Sequence, residues 1–157
     1  MGTLVHPGIR HHWDRLAGML SSAAVEAAAL LLTRLALGGV FWRSGRTKVV
    51  EGTWMELSDT SRFLFESEYA GVPVPAGLSA QMALWGETVL PILLVLGLAT
   101  RLSALGLIGM TLVIQLFVYP EAWWPTHSLW AAMALVLVAR GGGLLSLDHL
   151  LARRVVQ

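Results

Sequence analysis

The chain has 157 residues, enough for one domain, of which 55% are hydrophobic and 13% charged. With a mean hydropathy of +0.65, this is not the composition of a water-soluble protein. Eleven Lys+Arg against ten Asp+Glu leave a formal charge of +1, too weak a field for a nucleic-acid binder. The absence of cysteine excludes disulfides, thiolate zinc sites, cysteine-ligated iron–sulfur clusters and catalytic thiols.

The first pattern places Ile9, Trp13, Leu16 and Leu20 at helical spacing among Arg10, His11, His12 and Arg15, which predicts a basic interfacial helix over about 8–20. His11-His12 has no further ligand at metal spacing. An apolar run over about 23–42 follows. Arg34 interrupts it and it resumes through Leu35, Gly38, Val40 and Phe41, so it reads as a spanning helix and not as the short apolar region of a cleaved signal.

Next, Trp54, Leu57, Leu64 and Phe65 alternate with Glu56, Asp59, Arg62 and Glu66, predicting a surface helix over about 53–69 that caps one mouth. Three more apolar runs, at about 78–98, 102–119 and 127–145, approach the roughly 20 residues that cross about 30 Å of hydrocarbon. From Leu102 to Tyr119 the polar residues are Ser103, Thr111 and Gln115, too few for the polar stripe of a soluble helix. Gly141-Gly142-Gly143 should end the fourth span, and a short surface helix over about 146–154 has Asp148 early and Arg153-Arg154 late.

The links around Ala99–Arg101 and from Pro120 to Thr126 are short, so the spans they join must be antiparallel neighbours. The expected fold is all-α: an integral membrane four-helix bundle, up-down-up-down, with short interfacial helices, forming a single membrane domain over 1–157. Arg10, Arg15, Arg101, Arg153 and Arg154 share one side, against Arg46, Lys48 and Arg62 on the other. The positive-inside rule then puts both termini in the cytoplasm.

Two constellations could carry chemistry. Arg34 and Glu87 lie near the middles of the first and second runs, where each charge alone would cost at least roughly 2.5–3.5 kcal/mol. Their matched depth predicts a buried ion pair, with Ala27 and Gly38 on the same face letting the helices approach. Pro91 cannot donate to the Glu87 carbonyl four residues earlier, which leaves that oxygen free for a guanidinium or a substrate. The pair could be a helix clamp, or a site for a polar head group or a proton.

At the opposite face His127 opens the fourth run, with Glu66, Glu68, Tyr69 and Glu121 on nearby loops. Imidazole with carboxylates can move protons or bind a metal; the spacing is not that of a metal site, and no metal is assigned. Tyr119, Trp123 and Trp124 form an aromatic belt. Gln115 reads as helix glue, and Met82, Met110 and Met133 as packing.

The order of these features resembles the DoxX family of small four-helix membrane proteins. Arg34 with Gly38, Phe41, Gly45 and Lys48 is similar to its first-helix pattern. Glu87 followed by Leu96-Gly97-Leu98-Ala99-Thr100-Arg101 is similar to its second helix and turn, and Gly141, Gly143, Ser146, Leu147 and Asp148 to its closing signature. The resemblance covers about 30–150. It implies company with redox systems, since relatives include a membrane subunit of thiosulfate:quinone oxidoreductase and proteins of redox-stress complexes. Phe65–Tyr69 and Val113–Pro120 are also similar to members encoded beside enzymes that modify metal-binding peptides.

The expectation is an accessory subunit of a bacterial inner (plasma) membrane that docks a redox or peptide-modifying partner, or a second copy, and holds a quinone-like amphipathic molecule near Arg34 and Glu87. A small-molecule or ion transporter would need a continuous polar path. A self-contained oxidoreductase would need a bound haem, flavin or metal, because the side chains offer no redox couple of their own.

Overall fold

The computed structural model describes the backbone of residues 7–155 and the side chains of residues 12–154. Seven helices follow in order: α1 (Pro7–Leu20), α2 (Ala23–Arg46), α3 (Asp59–Ser67), α4 (Ala76–Leu96), α5 (Thr100–Phe117), α6 (Ser128–Arg140) and α7 (Leu147–Val155). A 3₁₀ turn at Pro120–Ala122 and a π-turn at Trp123–His127 lead into α6.

Local chemistry sets the boundaries. Ser22 caps α2 by accepting the Val25 N–H, and Glu26 complements the first turn. Gly97, in the left-handed region at φ 69°, ends α4. Gly141, at φ 76°, ends α6 at Arg140, so the fourth apolar run is helical over a shorter stretch than its hydropathy implies. The predicted surface helix of 53–69 begins only at Asp59, behind the Ser58 cap. Residues before it close a small loop, in which Val49 bridges Leu57 and the Ser58 N–H reaches the Lys48 carbonyl.

The segments α2, α4, α5 and Pro120–Arg140 are long and apolar enough to cross a membrane. They pack in a ring, α2 on α4, α4 on α5, α5 on α6 and α6 back on α2. Leu37, Phe41, Leu94, Leu107 and Leu137 fill the centre, with Trp130 edge-on to Phe41 at 5.4 Å. Outside the ring Leu102 is 71% exposed and Leu116 67%. Water would penalise such faces and lipid does not. The chain is therefore an all-α membrane bundle.

α1 stands clear of the ring, with every side chain from His12 to Leu20 exposed; the side chains of Ile9, Arg10 and His11 lie outside the described residues. α3 packs on α4, where Phe65, buried beside Leu84, joins a smaller core.

Candidate functional site

The spacing of Arg34, Gly38, Phe41, Gly45 and Lys48 repeats at four and three residues, placing all five on one face of α2 and its extension, and all five are buried. α4 runs antiparallel along that face. A Cβ on Gly38 would lie 2.9 Å from the Val95 side chain, and one on Gly45 3.0 Å from the Glu87 carbonyl oxygen. The helices thus touch backbone to backbone where the glycines fall.

That register overturns the expected Arg34–Glu87 pair. Gly45 is the residue opposite Glu87, eleven positions beyond Arg34 and so about 16 Å along the helix axis. Depth within an apolar run did not measure height in the bundle, because α2 is displaced along its axis relative to α4. The freed Glu87 carbonyl, four residues before the buried Pro91, faces Gly45 instead of a guanidinium.

Arg34 instead sits at the end of the bundle where α4 turns into α5. It is fully buried. Its Nη1 donates to the Val95 carbonyl at 3.0 Å and the Leu94 carbonyl at 3.5 Å, and its Nη2 donates to the Leu145 carbonyl. The cation therefore closes the C-terminus of α4, where unpaired carbonyls concentrate negative charge. Asp148 does the complementary work at the start of α5. Its carboxylate accepts the Ala99 N–H at 2.7 Å and the Thr100 N–H at 2.8 Å, supporting Ala99 in a left-handed conformation at φ 48°. Burial pushes the Asp148 carboxyl up, but these N–H groups and the Arg34 charge outweigh it and hold the group below the usual carboxylate range.

The glycines at this end are spatial requirements. A Cβ on Gly97 would lie 2.3 Å from Arg34 Nη1, and one on Gly142 2.5 Å from the Ser146 Cβ. Ser146 donates to the Gly143 carbonyl at 2.6 Å and accepts the His149 N–H. Residues from the first, second and last sequence motifs thus meet in one structural knot.

Glu87 finds a different cation. Lys48 Nζ lies 2.6 Å from its Oε2, both side chains being under 10% exposed, and Ser44 donates to Oε1 at 3.2 Å. Lys48 was legible as the next member of the four-and-three series. Nearby, Arg46 donates to Thr88 Oγ1 at 2.8 Å and the Trp54 carbonyl at 2.7 Å, with its guanidinium over the Trp42 ring at 4.8 Å.

A cavity of about 380 Å³ adjoins this pair. Gly86, Gly106 and Gly109 line it, the first two packed against Met110 and Leu90, while Met82, Leu90, Met110 and Val113 supply apolar walls and Glu87 and Tyr69 supply polar groups. Tyr69 stacks on Phe65 at 4.3 Å, and its hydroxyl makes no hydrogen bond among the described residues. Burial, followed by the Glu87 charge, pushes the Tyr69 phenol up to about 12. It is a neutral donor at physiological pH.

The other expected constellation does not assemble around His127. That residue is buried, 2.7 Å from Gln115 Oε1 through Nδ1, with its ring beside Trp130. Glu68 instead accepts the Tyr119 hydroxyl, and Glu66 is exposed. Among the described residues no group of three His, Asp or Glu side chains is placed to hold a metal. The Arg34 and Glu87 clusters are separated by Leu37, Phe41, Leu94 and Leu107, each at most 1% exposed.

The DoxX family profile matches residues 29–120. An uncharacterised protein of Haemophilus influenzae (strain ATCC 51907 / DSM 11121 / KW20 / Rd) is 29% identical over 144 residues, covering 82% of this chain and 86% of the relative. No solved structure matches. The matched span runs from early α2 through the end of α5 and includes Arg34, Lys48 and Glu87, and the chain belongs to the DoxX family.

Proposed function

We propose that the protein is an accessory membrane subunit that holds a quinone-like amphipathic molecule in the cavity between α4 and α5, its polar head against Tyr69 and Glu87. One observation carries this reading: the cavity is predominantly apolar, of a size suited to a ring and the start of a tail, and bordered by a buried carboxylate and a phenol with no hydrogen bond among the described residues. The Tyr69 hydroxyl offers a hydrogen bond to a carbonyl, and the Glu87 carboxylate accepts one from a hydroxyl. Redox equivalents would come from a protein partner, because the chain has no cysteine.

On this reading the protein sits in a bacterial inner membrane with its termini in the cytoplasm, following the basic-residue asymmetry. α1, with exposed Trp13, Leu16 and Leu20, and α7, with exposed Leu150 and Leu151 one turn before Arg153-Arg154, lie along the cytoplasmic surface.

The test is extraction of bound lipids from protein purified out of native membranes. Gly109 has nothing within 4 Å of an added Cβ, so Gly109→Leu fills the cavity while leaving the Lys48–Glu87 pair intact. A quinone recovered with the wild type and lost from this variant supports the reading. Recovery of none from the wild type refutes it.

A further inference from the structure

A second cavity, of about 580 Å³, opens at the end of the bundle where α6 finishes and α5 begins. Its wall combines the first turn of α5, the glycine segment before α7, and the side chains of Arg101 and Arg140. We propose that this cavity binds a phosphate group.

Three independent features point to that chemistry. Among the described residues the N–H groups of Arg101 and Leu102 have no backbone acceptor, and a helix start presents such donors to an anion. The Thr100 hydroxyl also belongs to the cavity wall, is fully buried beside the Asp148 carboxylate, and makes no hydrogen bond of its own among the described residues. A buried hydroxyl left unpaired calls for an acceptor. Finally, Arg101 and Arg140 are presented from different helices, and Arg101 is steadied by donation to the Ala139 carbonyl at 3.3 Å. Guanidinium forks match phosphate oxygens.

Two carboxylates share the wall, and neither closes the site. Asp148 is occupied by the Ala99 and Thr100 N–H groups. Glu26 pairs with Arg140 across the mouth, with side chains 43% and 59% exposed, an arrangement readily exchanged for a stronger anion. Glu26 thus competes with the ligand for Arg140. The phosphate could come from a lipid head group, since Leu102 and Leu144 at the rim are exposed, or from a free phosphate.

The experiment is native mass spectrometry of the full chain in phosphate-free detergent, with added phosphatidylglycerol, the matching diacylglycerol, or inorganic phosphate. Retention of phosphatidylglycerol over diacylglycerol, reduced about tenfold by Arg101→Gln and increased by Glu26→Gln, is the expected result and identifies a lipid source. Inorganic phosphate bound with the same two responses, without lipid preference, also upholds the site and identifies a free source. The gain in Glu26→Gln is a readout that loss of folding cannot produce. Equal retention of diacylglycerol without phosphate binding, or indifference to both substitutions, overturns the proposal.

Discussion

Arg34 and Asp148 close the two sides of a single turn: the guanidinium takes carbonyls at the end of α4, and the carboxylate takes the N–H groups that begin α5. Two buried or half-buried charges thereby satisfy helix ends that lipid could not hydrate. Removing Arg34 strips three carbonyls of a donor. Arg34→Gln should destabilise the bundle by about 3 kcal/mol, and Arg34→Lys by less, since it keeps the charge. Thermal unfolding in detergent measures both. A melting temperature unchanged in Arg34→Gln would contradict the capping role.

Asp148 also makes stability depend on pH. Its folded pKa lies below the ordinary value, so its contribution is present above the unfolded value of about 3.9 and fades as pH falls through the folded one. Asp148→Asn should cost about 1 kcal/mol near neutrality. The difference from wild type should shrink on acidification. Denaturation profiles from neutral pH downward decide this, and a gap that widened in acid would have the wrong sign.

The Lys48–Glu87 pair is worth more intact than either half. Lys48→Met leaves a carboxylate buried and unpaired and should cost about 3–5 kcal/mol. The double change Lys48→Met with Glu87→Gln removes both charges and should cost less than the sum of the single changes, with a coupling of at least about 1 kcal/mol. Additive losses would mean that the two side chains do not interact.

The chain has two tyrosines, and both titrate late: Tyr69 is pushed up to about 12 by burial and the Glu87 charge, and Tyr119 is raised by donating to Glu68, then by burial. Little tyrosinate absorbance should therefore appear at about pH 10, where a free phenol is half ionised. Because the folded pKa values are raised, the stability they contribute is present below about pH 10 and is lost as pH climbs toward the folded values. Tyr119→Phe isolates the Tyr69 titration. Ionisation of Tyr69 at about pH 10 would show that it is not buried beside Glu87.

The bundle was legible in the sequence because four apolar runs, the last three joined by short links, leave few alternatives, and the glycines after α6 marked its end. The partners of the buried charges were not. Hydropathy gives the length of a span but not its axial offset, so Arg34 and Glu87 looked level when Gly45 was the residue facing Glu87. Gly38, Gly45 and Lys48 on the Arg34 face held the correct register. Nothing in the local pattern links Asp148 to a helix start 48 residues earlier, because that hydrogen bond exists only after the last segment has folded back.

The position of that segment in the chain has a consequence for biosynthesis. Leu145 supplies an acceptor for Arg34, and Asp148 caps α5, so neither contact can form until the ribosome has passed them. All four membrane crossings precede these residues, and the nascent bundle must wait with its inner turn unfastened. Membrane proteases that survey new chains therefore meet a substrate whose resistance rises once Leu145 and Asp148 are in place, and a frameshift ahead of them should reduce abundance without altering insertion.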